Sequence, residues 1–348
     1  MKKVSVVVPC YNVSECLGHC MDHLIRQTIG IENIEIILVD DASTDNGATW
    51  EVIMQYEKQY PESIIAITLE ENHRQGGARN VGISYASGEY LIFCDADDWL
   101  RTEALGLLCM VMEKTETDVV EFCYKKVYEY TGEEMPLESG NGNYELNDIN
   151  DEKRRELLVT FTDNFGLGCM VKMYRMSLIK EHNIRFAEHL ICEEPSFTLP
   201  VRLYEKKHIF LDMVLYYYYQ KPGSTMNSSW DDRKLDNVNV WIILYKDLRE
   251  RGFLEKYPVE LEYAFWGWGI ELTVGMLINR GYTLQAEELA YLREIALKYC
   301  PDIRHNPYFA KYREGRKKIL LDMLDMELTE DNIIRFNESA LQYLMKNQ

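Results

Sequence analysis

Short apolar runs and amphipathic stretches take turns over the first hundred residues. Val4–Val8, Ile34–Val39, Ile64–Leu69 and Tyr90–Cys94 are continuous apolar runs rich in β-branched and aromatic residues, which reads as strands covered on both faces. Between the first two, Leu17, Met21, Leu24 and Ile25 recur at helical spacing behind Ser14, a residue able to cap that helix. A second helix is predicted over Gly47–Tyr60, with Thr44 or Asp45 at its start, and a third near Ala78–Ser87 after a loop opened by Gly76-Gly77. Strand and helix in strict alternation predict an α/β fold, with a mostly parallel sheet between two helical layers. The polar turns Pro9–Asn12, Asp40–Asp45 and Asp95–Asp98 each follow a strand, so they are expected along one edge of that sheet.

The middle of the chain is less regular. Thr102–Glu116 reads as a helix and Val119–Tyr130 as a strand or strand pair. Glu129–Glu152 is acidic, carries no Lys or Arg and holds Gly140-Asn141-Gly142-Asn143, which suits an exposed loop or hairpin. A strand over Gly166–Tyr174, a short helix over Ser177–His182, a helix from Glu193 to about Glu205 and a strand over Ile209–Tyr219 follow, with Pro195 in the first turn of the third. Gln220–Asn227 is expected as a loop. From Trp230 the spacing is helical almost to the end. There Tyr263–Trp268 is apolar all round and is expected to bury against the first domain, a partner subunit or a membrane surface, the first being preferred. Three segments are expected: 1–100, 101–228 and a helical 229–348.

Charge and cysteine content narrow the function. A net charge of −19 over 348 residues excludes a general nucleic-acid partner and gives no attraction to anionic membranes. No run is long enough to span a bilayer, and the N-terminus reads as a first strand rather than a signal peptide. Nine cysteines without paired spacing suit reduced thiols in a cytoplasm. Cys16, His19, Cys20 and His23 share one helical face, but a straight helix cannot set four ligands tetrahedrally, so core packing is the expected role.

The stretch Tyr-Leu-Ile-Phe-Cys-Asp-Ala-Asp-Asp-Trp at 90–99 carries the chemistry. A buried strand here ends in Asp95, Asp97 and Asp98, and ligands of open α/β sheets bind beyond strand carboxyl ends. Alternating carboxylates suit Mn²⁺ or Mg²⁺, which complete their shells with ligand phosphates. Tyr11, at the mouth of the first strand, can stack on a flat base. Asp40 and Asp41 can accept hydrogen bonds from a pyrimidine or ribose. Gly76-Gly77 permit close backbone approach, and Arg79 follows in the first turn of a helix.

Taken in order, Val-Val-Val-Pro-Cys-Tyr-Asn, Leu-Val-Asp-Asp-Ala-Ser-Thr-Asp, Gly-Gly-Ala-Arg-Asn-Val-Gly and Gly-Glu-Tyr-Leu-Ile-Phe-Cys-Asp-Ala-Asp-Asp-Trp resemble the motifs of family 2 glycosyltransferases. The resemblance covers about residues 4–225. It implies a GT-A fold with a Rossmann-like nucleotide half over 1–100, an acceptor half over 101–228, and an inverting, metal-dependent transfer from a UDP-sugar. Around the donor it places Pro9, Tyr11 and Asn12, then Asp40 and Asp41, then Gly77, Arg79 and Asn80, then Asp95 and Ala96, with Gln220 and Ser224 in a loop over the diphosphate. Asp97 is the first choice for the metal, Asp95 lies nearer the ribose, and Asp98 supports them.

The family's catalytic base is usually the Asp of a Glu-Asp pair that is followed by two residues and then an aromatic. Here Glu193-Glu194-Pro195-Ser196-Phe197 stands in that place, so Glu194 is the expected base and Glu193 its alternative. Gly168–Arg175 resembles the segment before the base, with Lys172 and Arg175 as contacts for the acceptor. By analogy the acceptor is a saccharide or lipid-linked saccharide of the cell envelope. The expected setting is cytoplasmic, with peripheral membrane association and homo-oligomerisation left open. Two rival readings stand beside this one. A regulatory module could bind the nucleotide sugar without turnover. A nucleotidyltransferase would need a Gly-rich basic loop after the first strand, and Pro9–Asn12 is not one. No dinucleotide or P-loop glycine pattern occurs.

Overall fold

The computed structural model describes residues 2–130, 139–159, 168–220, 233–312 and 317–346. The chain divides into two compact units, Met1–Asp151 with Thr162–Asn227, and Glu152–Phe161 with Ser228–Gln348.

The first unit is a sheet between helices. Its strands are β1 (Val4–Cys10), β2 (Ile34–Asp40), β3 (Ile64–Thr68), β4 (Tyr90–Phe93), β5 (Trp99–Leu100), β6 (Val119–Val127), β7 (Ser139–Asp148), β8 (Lys172–Arg175) and β9 (Lys207–Tyr219). They run in the order β3-β2-β1-β4-β8-β6-β9-β5, with β7 beside β9. β3, β2, β1 and β4 are parallel, as the alternation of strand and helix requires. Beyond β4 the sheet is mixed: β8 is antiparallel to both β4 and β6, while β6 and β9 run parallel.

Strand periodicity explains why the parallel strands read as solid apolar runs. In β1, Val4, Val6 and Val8 enter one core while Val7 enters the other. β4 does the same, with Tyr90 and Ile92 on one side and Leu91 and Phe93 on the other. The helices α1 (Leu17–Ile25), α2 (Ala48–Gln59) and α4 (Ala104–Thr115) cover the first face, through Leu17, Met21, Leu24, Ile53, Leu105 and Leu108. The helices α3 (Arg74–Tyr85), α6 (Met176–Glu181) and α7 (Glu194–Tyr204) cover the second, through Ala78, Ile83, Ile179, Phe197 and Val201. Cys16, just before α1, and Cys20 within it are both buried, as core residues.

Two local expectations are corrected, and one short strand is added. Gly76 and Gly77 do not open a loop; they lie in the first turn of α3, which starts at Arg74. Their value is close approach. A Cβ at Gly76 would sit 2.2 Å from the Ala187 carbonyl oxygen, and one at Gly77 2.3 Å from the His73 Cβ. Within the acidic stretch, Ser139–Asp148 is a strand, and it pairs with β9 rather than folding back on β6. The two-residue strand β5, antiparallel to Tyr216-Tyr217, has too short a run to announce itself in sequence.

The second unit is helical. After α5 (Asp151–Val159), which begins at the unit boundary, come α8 (Asp236–Glu250), α9 (Phe253–Lys256), α10 (Pro258–Ala264), a π-helical turn over Phe265–Glu271, α11 (Leu272–Asn279), α12 (Ala286–Tyr299), α13 (Pro307–Tyr312), α14 (Lys317–Asp325) and α15 (Glu330–Lys346). Arg155 of α5 donates to both oxygens of Glu260 at 2.9 Å. The apolar stretch expected to bury against the first domain finds cover inside this unit. Phe265 stacks on Tyr299 at 5.1 Å, and Trp266 meets Phe309 edge-on at 5.8 Å. Among the described residues, no helix is long and apolar enough to cross a membrane.

Candidate active site

The carboxyl ends of β1, β2 and β4 meet at one edge. Cys10 is the register partner of Asp40, and the Cys94 N–H donates to the Val7 carbonyl at 3.1 Å, so the three polar turns sit side by side. Asn12, at φ 54°, links two of them: its side-chain oxygen accepts from the Thr44 N–H at 2.7 Å, and its amide nitrogen donates to Thr44 Oγ1 at 3.1 Å. Asp45 accepts from the Thr49 N–H at 3.0 Å, satisfying a free donor in the first turn of α2. Tyr11 projects from this edge, 43% exposed. Pro9 is buried as the penultimate residue of β1.

Asp40 and Asp41 are both buried but differ in their bonds. Asp40 accepts from the Ser43 N–H at 3.1 Å. Asp41 accepts from the His73 N–H at 2.7 Å, which ties the second turn to the start of α3. Burial raises the Asp41 carboxyl above its ordinary value, against that hydrogen bond.

Arg79 is the hinge of the site. It is 1% exposed and points from α3 between two carboxylates. One guanidinium nitrogen donates to Asp95 Oδ1 at 2.8 Å and the other to Glu193. Its plane lies over the Phe186 ring at 5.4 Å. Asp95, at the end of β4, and the acidic pair before α7 are 98 positions apart in sequence yet share one cation. Gly76 makes this possible, because a Cβ there would also meet Glu193 at 2.9 Å.

The three carboxylates after β4 face different ways. Asp95 and Asp97 are partly exposed, and Ala96 between them is buried. Asp98 is fully buried: it accepts from the Tyr216 hydroxyl at 2.6 Å and the Tyr219 N–H at 2.8 Å. Burial and the neighbouring Asp95 and Asp97 push its carboxyl well up. The Tyr216 hydroxyl also accepts from the Asp95 N–H at 3.2 Å, so β9 fixes the backbone of the acidic turn. Sequence reading missed this role of Tyr216, although the alternation of β9 buries Tyr216 and Tyr217.

Glu193 and Glu194 stand at the start of α7. A helix N-terminus favours a carboxylate by about 0.3–1 kcal/mol, worth less than one pH unit. Glu194 instead is pushed up to about 8, first by burial and then by the charge of Glu193, with Arg79 opposing. Desolvation therefore wins over the helix dipole. Among the described residues, the Glu194 carboxylate takes no hydrogen bond, whereas Glu193 is paired with Arg79.

Other expected contacts turn inward. Asn80 donates to the Phe186 carbonyl at 2.9 Å and accepts from the Phe186 N–H at 2.9 Å, so it braces the segment before Glu193. Lys172 is buried, donates to the Gly168 carbonyl at 2.7 Å and faces Glu121 at 3.6 Å. Arg175 bonds the Thr117 carbonyl at 3.0 Å. Lys172 is thus buried beside Glu121, while Arg175 is half-buried and also faces Glu89 at 3.7 Å. The Gln220 N–H donates to the Val127 carbonyl at 2.8 Å. Gly223 and Ser224 lie outside the described residues.

With the geometry in view, three likenesses carry weight. The chain is 30% identical over 230 residues to a poly(ribitol-phosphate) beta-glucosyltransferase of Bacillus spizizenii, covering 66% of this chain and 34% of that protein. It is 25% identical over 368 positions to glycosyltransferase GlyA of Streptococcus pneumoniae, covering 99% of this chain and 47% of that one. It thus spans between a third and a half of these relatives. A crystal structure of S. aureus TarS 1–349 in complex with UDP-GlcNAc superposes with a TM-score of 0.68 at 20% identity, over 99% of this chain and 92% of that one. The likeness of fold supports GT-A architecture for the strands and helices described above. The model of the family named Glycosyl transferase family 2 matches residues 5–182, which hold all three strand-end turns and Arg79. That match spans more than half of the chain, and the chain belongs to glycosyl transferase family 2.

Proposed function

We propose that this protein is an inverting, divalent-metal-dependent glycosyltransferase. It moves a sugar from a UDP-sugar to a hydroxyl of a saccharide or lipid-linked saccharide in cell-envelope glycan synthesis. The observation that carries the reading is the Arg79 bridge between Asp95 and Glu193, which joins a strand-end acidic turn to a carboxylate pair. One side suits a nucleotide diphosphate and the other a proton acceptor. The UDP-GlcNAc complex of TarS supports the donor class, and the name of the poly(ribitol-phosphate) beta-glucosyltransferase supports a polyhydroxylated acceptor; that the acceptor is a saccharide rests on analogy with the family.

The donor set fits a hard cation. Asp95 and Asp97 offer partly exposed carboxylate oxygens, and one oxygen of Asp95 is already held in place by Arg79. Mn²⁺ or Mg²⁺ bound there supplies charge neutralisation for the departing diphosphate. The chain's own residues do the rest. Tyr11 stacks on the base, while Asp40 and Asp41 accept its imide and ribose donors. Arg79 keeps Asp95 and Glu193 at fixed separation. Glu194, unbonded and with its proton affinity raised, takes the proton of the attacking acceptor hydroxyl. Single displacement from the face opposite the diphosphate inverts the anomeric centre.

A thermal-shift screen of sugar nucleotides with and without Mn²⁺ tests the donor side, since a ligand of the native state raises apparent stability. UDP-sugars are expected to stabilise only with the ion, and Asp97→Ala is expected to abolish that effect while leaving the fold intact. UDP affinity unchanged in Asp97→Ala would remove Asp97 from the metal. Binding without transfer or hydrolysis across an acceptor panel would point instead to a regulatory module.

A further inference from the structure

Beside the nucleotide edge lies a cluster of different chemistry. His73 precedes α3, and Glu188 and His189 belong to the segment that leads into Glu193. One ligand atom from each lies within 4.8 Å of the others, the only such His, Cys, Asp or Glu group of three or more among the described residues. We propose that His73, Glu188 and His189 form a second metal site, for a borderline transition ion of the Zn²⁺ class.

The donor set discriminates between ions. Two imidazoles and a carboxylate suit Zn²⁺ and disfavour Mg²⁺ or Ca²⁺, which prefer oxygen shells. His₂Glu with a water in the fourth position is an established zinc arrangement. Zinc bonds of about 2.0–2.1 Å place tetrahedral ligand atoms roughly 3.3 Å apart. His73 Nδ1 already lies 3.7 Å from Glu188 Oε2, and the His73 and His189 rings are 4.7 Å apart between centroids. Glu188 and His189 are exposed, so rotation of these two side chains closes the remainder.

The surroundings are arranged as an outer shell. Glu71 faces His73 Nε2 at 3.5 Å, while Nδ1 is turned toward Glu188. Asn80 donates to the other oxygen of Glu188 at 2.8 Å. The His189 N–H donates to the His73 carbonyl at 2.9 Å, which sets the two ligand-bearing backbones in register. The His73 N–H in turn holds Asp41. An ion here would therefore clamp the turn that positions Asp41 to the segment that carries Glu193 and Glu194.

The test reads metal binding rather than transfer, so its failure leaves the glycosyltransferase reading intact. The full chain, stripped of metal and carrying Asp97→Ala to disable the acidic turn, is titrated with Zn²⁺ by calorimetry and with Co²⁺ by visible absorption. One ion per chain is expected, with the intense bands of four-coordinate Co²⁺. His189→Ala, at an exposed position, should lower Zn²⁺ affinity at least tenfold with unchanged circular dichroism. Glu71→Gln should weaken it about 10–100-fold, as loss of an outer-shell partner does. No binding of Zn²⁺, or stoichiometric binding that survives both His189→Ala and Glu188→Ala, would overturn the site.

Discussion

The two ends of α7 treat buried carboxylates in opposite ways. At the C-terminal end, Glu121 of β6 lies among Lys172 at 3.6 Å, Arg202 at 3.3 Å and His208 at 3.1 Å. Burial alone would raise its carboxyl, but Lys172, His208 and Arg202 more than offset this and hold it at about 2. At the N-terminal end, Glu193 and Glu194 have Arg79 as nearest cation, and Arg79 is shared with Asp95. There burial and like charge prevail, and Glu194 rises to about 8. The two carboxylates are chemically the same, and what separates them is the number of cations and donors in reach. A compensated carboxylate is an anchor for the sheet. An uncompensated one has affinity left for a proton, which is the property a general base requires.

This contrast can be put under strain by substitution. Glu194→Gln keeps size and removes proton acceptance, so turnover should fall about 10²–10⁴-fold with donor and metal affinity nearly unchanged. Glu194→Asp should keep appreciable activity, and Glu193→Gln should be milder. A dead Glu193→Gln beside an active Glu194→Gln would exchange their roles, and full turnover in both would place the base elsewhere.

At the other end, Glu121→Gln should cost about 3–5 kcal/mol in urea unfolding, because it removes the buried negative charge that Lys172, Arg202 and His208 share. The deficit has a defined pH window. The folded carboxyl near 2 lies below the ordinary 4.5, so its contribution is present above 4.5 and is lost as pH falls toward 2. A deficit that stays constant down to acid pH would show that the carboxylate charge is not what anchors the network.

Away from α7, Tyr11→Ala should weaken UDP and free uridine alike, by about 1–3 kcal/mol if the ring stacks on the base. Loss confined to UDP would move Tyr11 off the base. The smallest effect runs against the usual direction of mutational damage. The folded Glu194 carboxyl, near 8, lies above the ordinary 4.5, so wild-type stability declines as pH rises from 4.5 to 8. Glu194→Gln carries no charge and escapes that decline. Its melting temperature should match wild type near pH 4.5 and exceed it by a few degrees at pH 8 and above. Glu193, Arg79, Asp95 and Lys172 all act on Glu194 through their charges, so the readout is the difference between the two proteins. Equal melting temperatures at alkaline pH would mean that Glu194 is not held in an unfavourable setting.

Much of the fold could be read from local chemistry. A strand covered on both faces must be apolar throughout, so β1, β2 and β4 announced themselves and their polar ends marked the edge where Asp40, Asp41, Asp95 and Asp97 gather. Helical spacing likewise disclosed the C-terminal unit. These are properties of neighbours along the chain, and sequence records them directly. The direction of individual side chains was not recorded in that way. Nothing along the chain disclosed that Lys172 bonds the Gly168 carbonyl, Arg175 the Thr117 carbonyl and Asn80 the Phe186 carbonyl. Gly76 and Gly77 looked like a flexible opening, yet they are helical and small because Ala187 and His73 press against them. Whether a carboxylate anchors or reacts depends on cations brought from β8, β9 and α3, and whether His73 meets His189 depends on packing across more than a hundred residues. Composition and periodicity carry the first kind of information because it arises from backbone geometry. The second kind arises from desolvation and charge at close range, which exist only once distant segments have been packed together.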